Sequence, residues 1–384
     1  VTTYSAVRTT GIYCRPGCGA KPLAENVRTF ELAASAEAAG YRACLRCRPY
    51  RVAGTVPDDA PELVCRAVQL IINGLLDEAN EDAVGARLGI SARHLRRLFA
   101  DHLGVTPDGF ARSRRAHFAR RLLDDTDLSI AEVAFASGFG SLRQFNRAMR
   151  EVFRAAPSDL RARRRRADRL VADGGLPLRM PFSPGYDWTA MLAHLRADAV
   201  PGVESVVDDT YRRTITLDGD PGMLEIGPAG QDHLLLRAHL PYWEGVIHVV
   251  ERAARLVGID QDADDRTPGA WAPLEIAVNA VADDVADLVR RHGTPVDGLG
   301  HGLTHAFPAA AVLADEPGIV GELARAVLAD KIRLDWAEPR DDLLAALAAV
   351  GVPGPAANRI AWRLGVHRSK SLSSPYAIAA PSDS

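Results

Sequence analysis

Cysteine is scarce in this chain, with 5 in 384 residues. Long apolar runs are missing altogether: none reaches the about 18 residues that a membrane-spanning helix needs. The opening residues, VTTYSAVRTTG, lack the apolar core of a secretory signal. These absences exclude a membrane span and point to the cytoplasm, where thiols stay reduced, so disulfides are not expected. An apolar fraction of 47% and a charged fraction of 25% are those of ordinary soluble protein. The length suggests two to four domains of roughly 100–200 residues each.

The net charge of −3 conceals an asymmetry. Residues 1–170 hold 28 Lys+Arg against 19 Asp+Glu, a net +9, and residues 171–384 hold 18 against 30, a net −12. The basic half is the expected nucleic-acid partner.

Four of the five cysteines crowd into the first 50 residues, as Cys14, Cys18, Cys44 and Cys47. Their order is Cys-x3-Cys-x25-Cys-x2-Cys, two tight pairs separated by a loop. That spacing suits one Zn²⁺ held tetrahedrally by four sulfurs. The spacing alone leaves open whether the metal only staples a small domain or whether one sulfur also reacts. Cys65 stands apart in PELVCRAVQLII, on the apolar side of an expected helix, and reads as a small core residue.

The stretches AVRTTGIYCRPGC, ENVRTF and AEAAGYRACLRCRP resemble the N-terminal zinc domain of the Ada-type methylphosphotriester DNA methyltransferases, nearly continuously over residues 6–50. The resemblance implies that Cys14 is both a zinc ligand and the methyl acceptor, with Cys18, Cys44 and Cys47 as the other ligands. It implies phosphate contacts at Thr10, Lys21 and Arg42, while a further basic position of the family falls on Gly19. The implied chemistry is self-consistent. A free thiol has a pKa of about 8.5 and is mostly protonated at neutral pH, whereas a metal-bound one is a thiolate. Four thiolates on Zn²⁺ carry a formal −2, which repels an ordinary phosphodiester but not a neutral methylated triester. Methyl transfer yields a thioether, consumes the protein and takes the site to −1. The lost charge favours binding to DNA phosphates and so turns damage into a signal.

Downstream, Leu63, Val64, Ala67, Val68 and Ile71 recur at helical spacing. In DAVGARLGISARHLRRLFADHLGVTP, Ala83, Val84 and Leu88 are expected to face a core. Gly89 opens a turn and Ser91 caps a second helix. That helix carries Leu95, Leu98 and Phe99 inward and Arg93, His94, Arg96 and Arg97 outward. The pattern recurs in SIAEVAFASGFGSLRQFNRAMREVFRAAPSDL: Ser129 caps, Val133 and Ala134 point inward, Gly138 turns, and Ser141 begins a helix with Arg143, Gln144 and Arg147. RSRRAHFARRLLDD reads as the connecting helix. Over residues 61–160 this tandem resembles the AraC/XylS-type DNA-binding domain. Each second helix is then expected in a major groove, where Arg reads guanine and Gln adenine. LRARRRRADR, residues 160–169, reads as a frayed basic helix end touching phosphate nonspecifically.

GGLPLRMPFSPG reads as a Pro/Gly-rich connector into the acidic half. The helical stretch from Tyr186, the strand-like YRRTITL and HLLLRAHL, and TPGAWAPLEIAVNAV resemble AlkA-type 3-methyladenine DNA glycosylases over about residues 176–281. Beyond them the resemblance decays. A polar segment after EIAVNAV is missing. In AVGVPGPAANRIAWR, Pro353 stands where the family's hairpin has its second glycine, and proline has no N–H to offer phosphate. The aspartate those enzymes place 20–25 residues past the hairpin has no counterpart before Asp383. The family likeness therefore does not carry base excision with it.

The expected fold class is multidomain, mainly α with α+β parts. Residues 1–55 form a four-cysteine zinc domain and 60–167 a tandem helix-turn-helix. An α+β domain spans 176–262, a truncated all-α helix-hairpin-helix domain 267–366, and a disordered tail 367–384. The expected function is an alkylation-response regulator and DNA repair protein. Its implied partners are double-stranded DNA, through its methylated backbone and promoter sites, and RNA polymerase; no membrane is involved and the oligomeric state is left open. Two rivals stand beside it: a zinc-stapled AraC-type regulator without methyl transfer, and a bifunctional protein that also excises alkylated bases.

Overall fold

The computed structural model describes residues 3–20, 22–51, 61–165, 168–170, 174–182, 185–259, 268–269, 271–335 and 338–364. The expected tail at 367–384, with Asp383, lies outside them, as does Lys21.

The N-terminal segment builds a sheet of β1 (Tyr4–Val7), β2 (Ile12–Cys14), β3 (Val27–Phe30) and β4 (Arg42–Ala43), in the order β3-β1-β2-β4. β1 runs antiparallel to β2 and β3, and β2 runs parallel to β4. Tyr4, Ala6, Tyr13 and Ala43 fill its inner face. The short helix α1 (Ala33–Ala38) follows β3.

The helix-turn-helix region runs α2 (Glu62–Ile72), α3 (Leu75–Glu78), α4 (Glu81–Arg87), α5 (Ala92–Leu103), α6 (Pro107–Asp125), α7 (Ile130–Ala136), α8 (Leu142–Phe153) and α9 (Pro157–Ala162). Local chemistry sets its boundaries. Ser91 Oγ accepts from the His94 N–H at 3.2 Å, and Ser141 Oγ from that of Gln144 at 3.3 Å. Ser129 and Glu132 close a reciprocal capping box. Gly89 and Gly138 take φ of +71° and +78°, which turns α4 into α5 and α7 toward α8. Leu95, Phe99, Val133, Ala134 and Phe145 are buried.

The acidic half opens with β5 (Leu176–Pro181), which is a strand and not the connector its two prolines suggest. It pairs with β9 (His233–His239) at the edge of a five-stranded sheet ordered β5-β9-β8-β7-β6. An edge position is where proline is tolerated, because the outer side makes no ladder bonds. α10 (Trp188–Ala197), β6 (Glu204–Val207), β7 (Thr210–Leu217) and β8 (Asp220–Pro228) lie between them, and α11 (Val246–Leu256) follows. The C-terminal helices are α12 (Pro273–Val281), α13 (Val285–His292), α14 (Ala310–Leu313), α15 (Gly318–Leu328), α16 (Arg340–Ala349) and α17 (Gly354–Arg363). A two-stranded ribbon of β10 (Thr294–Pro295) and β11 (His305–Ala306) separates α13 from α14. Gly351, at φ +83°, turns α16 into α17, and Pro353 stands at the start of α17.

Packing crosses from one segment to the next. One hydrophobic cluster joins Tyr4 and Tyr13 to Leu122 and Phe145, and on to Leu236 and Val250. A second joins Leu32 and Ala34, beside and within α1, to Val68, Leu95, Phe99 and Phe110. The N-terminal sheet and its helix therefore pack into the cores of both helix-turn-helix units. Three arginines of 160–169 bind the protein itself, contrary to the frayed basic end expected. Arg161 donates to the Leu128 carbonyl at 2.8 Å, Arg164 to that of Thr126 at 2.8 Å, and Arg169 pairs with Asp127 at 2.5 Å. Cys65 is half-buried, outside the core expected for it.

The acidic half docks through charge. Asp77 of α3 accepts from His248 of α11 at 2.7 Å and pairs with Arg115 of α6, while Arg114 meets Glu251 at 2.7 Å. Arg87 of α4 pairs with Asp335, and with Glu338 at 3.2 Å. Burial works against ionised Asp77, but the bonds from His248 and Arg115 outweigh it and hold the carboxyl below its ordinary value. Its contribution to docking is therefore present above its unfolded pKa of about 3.9 and lost as pH falls through the lower folded value. Asp77→Ala is expected to leave Arg115 and His248 half-buried without that carboxylate, at a cost of about 1–3 kcal/mol. Limited proteolysis should then cut between residues 165 and 174 faster than in wild type.

Candidate metal centre and nucleic-acid interface

The cysteine cluster grows out of the β2–β4 pairing. Ile12 and Tyr13 stand opposite Arg42 and Ala43 in parallel register, and the Cys44 N–H donates to the Tyr13 carbonyl at 3.0 Å. Cys14 and Cys44 thus leave the sheet side by side. Gly17, at φ +73°, bends the chain so that Cys18 returns to them. Past Cys47, Arg48 takes the left-handed conformation at φ +51°, and its N–H donates to the Cys44 carbonyl at 3.0 Å. The four sulfurs lie within 4.8 Å of one another. A tetrahedral zinc with bonds of about 2.3 Å needs sulfurs about 3.8 Å apart, which this cluster fits.

The protonation chemistry of the bare cluster points the same way. Burial pushes Cys14 far above the ordinary thiol range, and charge on Cys47 and Cys44 pushes it further. Burial raises Cys47 to about 12, although the Arg15 backbone N–H opposes it. Cys44 ends below its ordinary value: burial raises it, but the backbone N–H groups of Cys47 and Arg46 and the neighbouring thiols outweigh that. Four sulfurs this close do not ionise together without a cation. The donor set is all-sulfur, which selects zinc over a hard cation. The chain thus carries a site for one Zn²⁺.

The four sulfurs are not equivalent. Cys44 accepts two backbone N–H groups and Cys47 one. The Cys14 thiol donates toward Cys18 and Cys44, and that proton is lost when the cluster binds metal. Cys14 is also the least exposed, at 7%.

Thr10 is exposed in the β1–β2 turn, and the Arg42 N–H donates to the carbonyl of the next residue, Gly11, at 2.9 Å. The structure therefore brings Thr10 and Arg42 together at the β2–β4 end of the sheet. The space beside Gly19 is taken by Arg46, whose Nη2 lies 3.4 Å from where a Cβ would sit. On α5, Arg93, Arg96 and Arg97 are exposed and His94 half-buried, with Arg96 held by Glu81. On α8, Arg143, Gln144 and Arg147 are exposed, with Arg147 on Glu151 at 2.8 Å. Ser91 and Ser141 both spend their oxygens on caps.

Sequence reasoning missed the residues behind the cluster. Tyr13 is fully buried, donates to Glu37 Oε1 at 2.7 Å and lies 3.1 Å from His117 Nε2. His117 itself sits 2.6 Å from the same Glu37 oxygen. Arg48 is buried against Asp168 at 2.7 Å. Only the inward alternation of Tyr4, Ala6 and Tyr13 hinted that Tyr13 is inside.

A four-sulfur metal centre packed onto paired helix-turn-helix units, with a glycosylase-like α+β unit behind, defines a metal-dependent DNA-binding regulator of composite origin. Three families match in chain order: the metal binding domain of Ada over residues 2–50, a helix-turn-helix domain over 84–163, and the AlkA N-terminal domain over 177–267. The probable bifunctional transcriptional activator/DNA repair enzyme AlkA of Mycobacterium tuberculosis is 34% identical over 396 aligned positions, covering 90% of this chain and 79% of that one. The bifunctional transcriptional activator/DNA repair enzyme Ada of Escherichia coli is 35% identical over 119, covering 31% of this chain and 32% of that one. The corresponding AdaA of Bacillus subtilis is 28% identical over 143, covering 37% and 66%. The chain belongs to the family of bifunctional transcriptional activator/DNA repair proteins that join an Ada-type metal domain and an AraC-type helix-turn-helix to an AlkA-type module.

Elemental analysis should find one zinc per chain. Stripping it with a chelator should open residues 3–51 to protease and lower the melting temperature of the whole chain, because that segment lies in both helix-turn-helix cores.

Proposed function

We propose that this protein is a DNA repair enzyme and damage sensor that takes the methyl group of a DNA methylphosphotriester onto Cys14 and then activates transcription. When bound, zinc keeps the four sulfurs as thiolates at neutral pH. The reading is carried by the four-sulfur cluster set within an Ada-type metal binding domain. Backbone N–H groups draw electron density from Cys44 and Cys47, and the resemblance of the Cys14 motif to the Ada-type domain assigns the acceptor role to Cys14. Its lone pair attacks the methyl carbon, the carbon–oxygen bond breaks, and its electrons stay on the phosphate oxygen. The products are a Cys14 thioether and an ordinary phosphodiester. Thr10, Lys21 and Arg42 are proposed to hold the flanking phosphates. A thioether is not reversed by ordinary acid–base chemistry, so each molecule is proposed to act once.

The output is assigned to α5 and α8 in successive major grooves. Arg93, His94, Arg96 and Arg97 on the first, and Arg143, Gln144 and Arg147 on the second, are the proposed contacts, with Ser91 and Ser141 beside the phosphates. RNA polymerase is the proposed partner at the promoter, and the cytoplasm the proposed location. The AlkA-like half is proposed to serve as a scaffold. Pro353 removes an amide donor from the start of α17, and the sequence offers no acid between residues 364 and 382, where the family's aspartate is expected.

Incubation with a duplex carrying one methylphosphotriester should add about 14 Da, the mass of one CH₂ unit, to the peptide of Cys14 and to no other cysteine. Cys14→Ser should abolish the gain, and an unmodified Cys14 in wild type would favour a regulator with structural zinc only. Release of 3-methyladenine by the full chain would overturn the scaffold assignment. Arg97→Ala and Arg143→Ala should each weaken specific binding by about 1–3 kcal/mol, read from titrations at fixed salt.

A further inference from the structure

The cysteine cluster is tied at both ends to one helix. Tyr13 immediately precedes Cys14, and its hydroxyl shares Glu37 Oε1 with His117 of α6. Glu37 Oε2 is buried without a partner among the described residues, so the whole contact runs through one oxygen. His117 is packed edge-on against Tyr50 and tilted against Phe153. Arg48 immediately follows Cys47. Its guanidinium grips Asp168 and lies 3.8 Å from Asp124 of α6. Asp124, fully buried, also accepts from Tyr50 at 3.0 Å and pairs with Arg120.

α6 is the helix that separates the two DNA-reading units. Its N-terminal part, at Phe110 and Ala111, belongs to the core of the first. Its C-terminal part, at Ala116, Phe118, Ala119, Leu122 and Leu123, belongs to the core of the second. His117 and Asp124 sit in that second part, between α5 and α8 in the chain.

We propose that the Tyr13–Glu37–His117 cluster and the Arg48–Asp124 contact transmit alkylation of Cys14 to α6, which resets the two recognition helices relative to one another. The proposal rests on the methyl-capture reading above. Its physical basis is the packing at Cys14. Cys14 is only 7% exposed, so a methyl group added there must be accommodated by the residues packed around it. Protein interiors are close-packed and pass such an insertion on as a shift of whole elements. The strand bearing Cys14 and the turn after Cys47 move against α6 because their polar anchors are there. The signal is thus conformational in addition to the change of site charge from −2 to −1.

The test uses the full chain, zinc-loaded, with a duplex carrying one methylphosphotriester as methyl donor. The mass of the Cys14 peptide establishes capture first; if wild type captures no methyl, the earlier reading fails, separately from this one. Amide exchange is then measured over residues 107–125 before and after capture. Affinity is measured for a duplex selected from a random library by the methylated protein, and for a single half of that site. Wild type should show altered exchange in α6 and a gain in affinity of about 5–150-fold on the full site. Glu37→Gln and His117→Gln should keep zinc and methyl capture, lose most of that gain, and show no exchange change in α6. Unaltered α6 exchange in methylated wild type would overturn the proposal whatever the variants do. So would variants that retain the full gain, or a gain equal on the half site, since both would mean that charge alone carries the signal.

Discussion

Four thiolates crowded within 4.8 Å repel one another, and a single dication is what allows them to share a site. The N-terminal sheet is too small to rest on its own apolar core, with Tyr4, Ala6, Tyr13 and Ala43 as its inner face. The metal closes the two chain turns that the sheet cannot hold by itself. Because Leu32 and Ala34 enter one helix-turn-helix core and Tyr13 the other, the energetics of the metal reach well beyond the first 50 residues. The chemistry of the centre and the stability of the DNA-reading units rest on the same four bonds.

The division of charge along the chain has a structural consequence. The basic half offers Arg87, Arg114 and Arg115 to the acidic half, and Asp335, Glu338 and Glu251 answer two of the three directly. Arg115 is answered by Asp77 of its own half, which in turn holds His248 of the other. These contacts sit on α3, α4 and α6, while the arginines of α5 and α8 remain exposed. The AlkA-like unit thus stands against the helix-turn-helix pair and leaves the arginines of α5 and α8 exposed.

The inequivalence of the sulfurs links this architecture to reactivity. Backbone amides are fixed in number by the fold, so Cys44 and Cys47 stay hydrogen-bonded whatever the metal does. Cys14 ends a strand, and its hydrogen bonds within the cluster go to Cys18 and Cys44. Two of the four sulfurs are thereby set apart by backbone geometry alone.

What the amino-acid order determined by itself was everything local. The spacing of Cys14, Cys18, Cys44 and Cys47 specified a metal site, since two turns of three and four residues can present only a few geometries. Ser91, Ser129 and Ser141 with Gly89 and Gly138 marked the helix ends, since caps and left-handed turns are read from one or two residues. The tertiary structure alone decided the rest. Pro177 and Pro181 disguised β5 as a connector, because only the sheet order shows that it is an edge. Arg161 and Arg164 looked free until folding brought the carbonyls of Leu128 and Thr126 beneath them. Tyr13, Glu37 and His117 stand up to 104 residues apart in the chain, and no periodicity relates them. Their meeting depends on how β2, α1 and α6 pack, which is a property of the whole fold and not of any segment.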